Sequence, residues 1–349
     1  MALLLLGCSD SVLRFMSRTP TSAEQAPHSV GPKDQLSRQR RPNFFIVGAP
    51  KCGTTSLDYY LSQHPDIFVA RKEMQFFGSD LCFGSQYYRR DQEAYLAEFS
   101  NWSDQLCAGE CSVWYLLSRL AASEIKAFNP ESRIIIMLRD PVAMLTSLYH
   151  QFRADGNECL ATFEEALAAE PDRREGRRFS RQTYLRQALD YRAAARCTDQ
   201  VQRYFDVFGR ERVHVVIYDD LVADTAGVYR KALDFLGVPS RPVNVDFAAM
   251  NGHHTVKSTA FRAFLQDPLV RGTAIALRKH VPEPVFNLVR NVGLRLSELN
   301  GKEAKRNPVA ADLQLQLRRE FAPEVERLSA LLDRDLTHWS KPALIHAKP

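Results

Sequence analysis

The stretch that most narrows what this chain can fold into is Phe44-Phe45-Ile46-Val47, running straight into Gly48-Ala49-Pro50-Lys51-Cys52-Gly53-Thr54-Thr55-Ser56. Four apolar residues ending at a glycine read as a buried strand. The residues after the loop read as a helix, with Leu57, Tyr60 and Leu61 on one face and Pro65 as its stop. Residues 134–138 and 213–217 supply two more strands rich in branched apolar residues. Such runs suit parallel sheets that are covered on both faces. Helical patterns fill the intervals. Thr162 and Glu165 are spaced as a capping box. Leu185, Leu189, Val201, Tyr204, Phe205 and Phe208 are core-facing candidates over 182–208. Leu313, Leu317, Phe321, Val325, Leu328 and Leu332 recur at helical spacing near the end of the chain, and Pro323 predicts a break there into two helices. The expected fold is α/β, with a P-loop-type parallel β-sheet flanked by helices on both faces, in a single domain.

A chain of 349 residues is long enough for one large α/β domain, and 45% apolar with 25% charged residues excludes disorder for its bulk. Residues 17–42 are rich in Ser, Pro, Gln and Arg, so residues 1–42 read as a flexible leader. The domain is expected over 43–340, and 341–349 as a tail. The apolar run at 2–6 is far short of the roughly 20 residues that a membrane span needs. It also lacks the basic start of a secretory signal. The seven cysteines are scattered, with no CxxC pair and no histidines beside Cys107 and Cys111. Reduced thiols in a cytoplasmic protein are therefore expected rather than zinc. Lys plus Arg exceeds Asp plus Glu by 46 − 41 = 5. That mild excess suits an anionic ligand better than nucleic acid.

The glycine loop carries the first chemical signal. Between a strand and a helix, glycines let backbone N–H groups converge at a helix N-terminus, which favours a phosphate. Thr54, Thr55 and Ser56 add hydroxyls, and Lys51 adds a full charge. Gly48 and Gly53 keep the spacing of a nucleoside-triphosphate loop, but position 54 is threonine and the lysine lies three residues earlier. No Lys-Ser/Thr pair remains to hold Mg²⁺ near a γ-phosphate. The blander alternative is an ordinary βα turn. The second signal is Arg139-Asp140-Pro141, at the carboxyl end of the strand over 134–138, with Ser147 two helical turns on. An arginine there could fork onto a phosphate, with a serine hydroxyl beside it. It could equally pair with a helix-end acid and leave Ser147 as surface.

Residues 44–57, FFIVGAPKCGTTSL, closely resemble the 5′-phosphosulfate-binding loop of the sulfotransferases that use 3′-phosphoadenosine 5′-phosphosulfate. The resemblance implies that donor, with Lys51 stabilising the leaving group and Cys52, Gly53, Thr54, Thr55 and Ser56 contacting the phosphate. Arg139 and Ser147 match the spacing of the family's 3′-phosphate motif. Met144 and Leu148 stand where many relatives have Arg and His. Arg71-Lys72-Glu73-Met74-Gln75-Phe76-Phe77 looks like the K-E-x-x-F-F element of the glycan-type enzymes, whose glutamate is the general base. That role falls on Glu73, which otherwise reads as a surface partner of Lys72. Burial against Phe76 and Phe77 would raise its pKa, and Lys72 would lower it. Gln75 replaces the histidine of heparan-type relatives. Residues 109–115 resemble the next landmark, with Glu110 either near the acceptor or structural, and with Cys111 and Val113 departing from the pattern. The last cofactor-covering loop of the family falls at 251–258.

The implied reaction is in-line transfer of a sulfuryl group to a hydroxyl, or as a lesser alternative an amine, of a glycan or small-molecule acceptor, with no metal required. The run Arg173, Arg174, Arg177, Arg178 and Arg181 reads as a solvated face, with a lip for an acidic acceptor as its alternative. The rival functions are a nucleotide or small-molecule kinase and a non-catalytic nucleotide-binding protein on the same fold.

Overall fold

The computed structural model describes residues 41–84, 90–180, 183–241, 243–247, 255–256, 301–302 and 309–341. Of the expected leader only Arg41 and Pro42 fall within these. Both are tied to the domain, Arg41 donating to the carbonyl of Phe128 and Pro42 accepting from Asn129 Nδ2 at 3.0 Å. Of the expected tail only Lys341 is described, and the cofactor-covering loop lies outside the described residues apart from Thr255 and Val256.

Five strands form one parallel sheet: β1 (Phe44–Gly48), β2 (Ile67–Val69), β3 (Cys107–Cys111), β4 (Arg133–Leu138) and β5 (Val213–Ile217), in the order β2-β3-β1-β4-β5. All five residues of β1 are buried, which requires cover on both faces and explains the unbroken apolar run. The helices that provide the cover include α1 (Thr54–Ser62), α2 (Ala121–Phe128), α3 (Pro141–Asp155), α4 (Phe163–Ala168), α5 (Thr198–Phe208), α6 (Thr225–Leu236) and α7 (Ala311–Leu332). Helix α6 packs with α1 and β5, while α5 packs with α2, α7 and β5. The capping box forms at the start of α4, with Thr162 Oγ1 accepting from Glu165 N and the Glu165 carboxylate accepting from Thr162 N. Thr255–Val256 and Gly301–Lys302 make a separate two-residue antiparallel ladder.

Three local readings are corrected. Helix α7 runs through Pro323 unbroken. Leu317, Phe321, Val325 and Leu328 are buried on both sides of the proline, so core packing outweighs the one hydrogen bond that proline removes. The 182–208 region is interrupted into a 3₁₀ turn at Gln187–Leu189 and helices Tyr191–Ala195 and Thr198–Phe208, although all six of its predicted core residues are buried. The arginine run is not uniformly solvated. Arg173 is buried, donating to both carboxylate oxygens of Glu158 at 2.8 and 2.7 Å. Arg174 and Arg177 are exposed and paired with Asp190, and with Asp172 and Glu175. Arg181 lies outside the described residues.

Strand order fixes where a ligand can sit. From β1 the chain moves to one side of the sheet, to β2 and back to β3, then crosses to β4 and β5 on the other side. The order therefore reverses between β1 and β4. In open α/β sheets the crevice at the carboxyl ends of such neighbouring strands receives the ligand.

Candidate active site

The loops leaving β1 and β4 meet at that crevice. The β1 loop is pinned at its start, where Ala49 N donates to Met137 O at 2.7 Å. Lys51 (φ 64°) and Gly53 (φ 87°) then take left-handed backbone conformations. At Gly53 a side chain is excluded twice, because φ is positive and a Cβ would lie 2.8 Å from Leu221 Cδ2 and 3.1 Å from the Tyr218 ring. Gly53 also starts α1, whose N-terminus has no side-chain cap. Its first N–H groups are thus left for an anion. Arg139 reaches back from the end of β4. Its Nη1 donates to Lys51 O at 3.3 Å, and its guanidinium lies 4.4 Å from the centroid of the Tyr218 ring. Asp140 is fully occupied as the N-cap of α3, accepting from Val142 N and Ala143 N while its other oxygen binds Arg318 at 2.9 Å.

These elements wall a cleft of about 790 Å³. Lys51, Gly53, Thr54, Thr55, Arg139 and Ser147 line one part of it, and Glu73 and Gln75 another. Cys52 and Ser56 are buried and do not line the cleft. The Cys52 thiol donates to Pro50 O at 3.4 Å, and burial pushes its pKa up to about 12, so it is an inert packing group. Arg174, Arg177 and Arg178 do not line the cleft either.

Glu73 is held by the end of β3 rather than by an element of its own. Glu73 N donates to Cys111 O at 2.8 Å, Gln75 N to Ser112 Oγ at 3.1 Å and Phe76 N to Tyr115 Oη at 2.8 Å. Between these anchors the backbone is left-handed at Glu73 (φ 61°) and Gln75 (φ 54°), a conformation that costs about 1–3 kcal/mol per non-glycine residue. The bend lets Gln75 Nε2 donate to Glu73 Oε2 at 2.7 Å, and Val113 N reaches the same oxygen at 3.4 Å. Burial raises the Glu73 pKa to about 7 against the opposing charge of Lys72 and the Val113 N–H, with smaller help from Glu110 and Asp58. Desolvation wins over the lysine. Phe76 and Phe77 pack on Tyr95 and Phe128 and anchor the segment to the core.

Glu110 is structural. It is fully buried and accepts from Ser112 Oγ (2.6 Å), Tyr115 Oη (2.9 Å) and Tyr95 Oη (3.0 Å), with its pKa raised to about 7 by burial. Ser112 and Tyr115 also hold the Gln75 and Phe76 amides, so Glu110 supports Glu73 from below. Tyr218 had no sequence signal of its own; it follows β5 directly and closes the space between Gly53 and Arg139. Lys72, read in the sequence only as a neighbour of Glu73, donates to the loop hydroxyls of Thr55 (2.7 Å) and Thr54 (3.4 Å). The position of Tyr218 just past a strand carboxyl end was the available clue.

An uncapped helix, a displaced lysine and an arginine at the switch point together define an anion-binding α/β fold of one kind, and comparison with known proteins agrees. A model of the sulfotransferase domain matches residues 41–268, and the chain belongs to the sulfotransferase family. It is 32% identical to the sulfotransferase from Alicyclobacillus acidocaldarius, whose crystal structure it matches with a TM-score of 0.62 over 86% of this chain and 100% of that one. It is 34% identical over 110 residues to the membrane-associated sulfotransferase kil1 of Dictyostelium discoideum, covering 31% of this chain and 22% of that protein. It is 32% identical over 125 residues to human heparan sulfate glucosamine 3-O-sulfotransferase 6, covering 36% and 33%. The chain thus spans a third or less of the length of these two curated relatives.

Proposed function

We propose that the protein transfers a sulfuryl group from 3′-phosphoadenosine 5′-phosphosulfate to a hydroxyl of a glycan or small-molecule acceptor. The observation that carries this reading is the two-sided cleft. Cations and an uncapped helix form one part, and a carboxylate with a pKa near neutrality forms the other. The donor fits the first part. Gly53 opens the uncapped start of α1, and Lys51 and Arg139 are the charges beside it. The bound donor supplies the sulfuryl group. Gly53, Thr54 and Thr55 would hold its 5′ side, with Arg139 and Ser147 on the 3′-phosphate. Lys51 would meet the charge that grows on the departing phosphate oxygen, and Glu73 would take the proton of the attacking hydroxyl. Gln75 and Val113 N hold one Glu73 oxygen, which orients the carboxylate.

The acid that a kinase reading would draw on beside Arg139 is taken: Asp140, at the end of β4, is committed to the α3 cap and Arg318. The sugar hydroxyl named in the human relative supports an O-acceptor here. We also propose a cytoplasmic location, supported by the free thiols of all six described cysteines. No described helix is long and apolar enough to cross a membrane. The test is a transfer assay with radiolabelled donor against glycans, phenols, sterols and aliphatic alcohols. Label should pass to at least one acceptor. No transfer to any of them, with EDTA-sensitive ATP turnover instead, would overturn the reading.

A further inference from the structure

The proposed transfer leaves two cleft cations unused: Arg71, which is exposed and pairs with Glu98 at 3.3 Å, and Lys72. Lys72 sits beside Glu73 in the chain, yet its ammonium group donates to Thr55 Oγ1 at 2.7 Å and Thr54 Oγ1 at 3.4 Å, at the uncapped mouth of α1. One side chain therefore reaches from the segment that carries the base to the loop that receives the donor. Beneath it lies Asp58, on the second turn of α1, whose Oδ1 is buried without a hydrogen-bond partner among the described residues. A buried carboxylate oxygen left unpaired is costly, and a nearby positive charge is its remaining compensation. Lys72 supplies that charge: it is the cation that opposes the rise of the Asp58 pKa to about 6 under burial.

We infer that Lys72 is a positioning residue that couples the two parts of the cleft, gripping the Thr54 and Thr55 hydroxyls while its charge is shared between the carboxylates of Glu73 and Asp58. The titratable groups that face Glu73 come from several elements. Lys72 comes from its own segment, Glu110 and Cys111 from β3, Asp58 from α1, and Tyr184 from the segment before the 3₁₀ turn. Lys72 is the only cation among these five, and Asp58 and Glu110 are the acids. Removing Lys72 must therefore push the Glu73 midpoint up, and removing the charge of Asp58 must let it fall. The loop hydroxyls lose their donor in the first case alone.

This inference rests on Glu73 as the base, but its test needs no turnover. Protein labelled with ¹³C at the glutamate carboxyl is titrated by NMR, with the Glu73 signal assigned by its loss in Glu73→Gln. Affinity for 3′-phosphoadenosine 5′-phosphate is measured by calorimetry in parallel. In Lys72→Met the Glu73 midpoint should rise by about 1 above wild type. Nucleotide affinity should fall about fivefold, the size of one lost hydrogen bond. Lys72→Arg should restore the midpoint. In Asp58→Asn the midpoint should drop. If Lys72→Met leaves either the midpoint or the affinity at its wild-type value, the coupling is wrong. Where circular dichroism shows that Lys72→Met does not fold, Asp58→Asn decides, and an unmoved midpoint overturns the inference. Shifted midpoints together with normal turnover in Glu73→Gln would leave the coupling standing and remove Glu73 as the base.

Discussion

The proposed donor and acceptor parts of the cleft are built by opposite means. The donor part comes from one contiguous loop plus Arg139 and Ser147 of a second segment, and the loop's conformation is set by Gly53 and by the start of α1. The acceptor part is a short irregular segment with no helix or strand of its own. Two left-handed non-glycine residues are held there by hydrogen bonds to β3 and the residues after it. Anion binding needs convergent N–H groups and fixed charge, which a loop at a helix N-terminus provides by geometry alone. A base needs a carboxylate withheld from water and still oriented, which takes several partners.

That contrast breaks most readily at Glu73. Glu73→Gln should lower kcat by about 10²–10⁴-fold, with donor affinity unchanged. In the wild type, kcat should rise with pH through about 7, because the carboxyl held near that value must lose its proton before it can accept one. A pH–rate profile flat between 5 and 8 would remove Glu73 as the base. On the donor side the effects should divide differently. Lys51→Ala should cost about 10²–10³-fold in kcat, as expected for a charge that acts at the departing oxygen. Arg139→Ala should instead appear as a rise of about 10–100-fold in donor KM, the size of a lost charge-assisted hydrogen bond. If Arg139→Ala raised acceptor KM by as much as donor KM, the division of the cleft would be wrong. Gly53→Ala should weaken the donor side through the backbone. It places a Cβ at φ 87° and 2.8 Å from Leu221, and about 1–3 kcal/mol of stability should be lost in denaturant unfolding.

The donor part was legible in the sequence because its chemistry is local. The run from Phe44 to Ser56 is strand, loop and helix in one segment, and Arg139 with Ser147 lies on a second such segment. The acceptor part was legible only as a resemblance, since Glu73 is fixed by Cys111, Ser112, Val113 and Tyr115, far along the chain. Strand β3 illustrates the difficulty. Its sequence, Cys107-Ala108-Gly109-Glu110-Cys111, has no branched or aromatic residue and reads as no strand. It is a strand because it fills the slot between β1 and β2, where size is the constraint: a Cβ at Gly109 would lie 2.3 Å from Phe44 O. The same fact explains Arg173 and Pro323. A charge run or a proline states a local preference, and in each case burial of neighbouring residues decided against it.

The smallest expected effect tests whether Glu110 belongs to the acceptor part as a support. Its pKa rises from an ordinary 4.5 to about 7 on folding. Between those values the unfolded chain has already released the proton while the folded protein still binds it. Stability therefore falls as pH rises across that window, and the contribution is fully present only below about 4.5. Glu110→Gln cannot titrate, and it keeps an oxygen that can accept from Tyr95 and Tyr115. Its unfolding free energy should lack this part of the fall between pH 5 and 7.5, so the variant should lose stability relative to wild type at pH 5 and recover ground by pH 7.5. Chemical denaturation at the two pH values measures the difference of differences. A constant offset would mean that Glu110 is ionised throughout, and that the carboxylate beneath Glu73 contributes a fixed negative charge rather than a proton held with the fold.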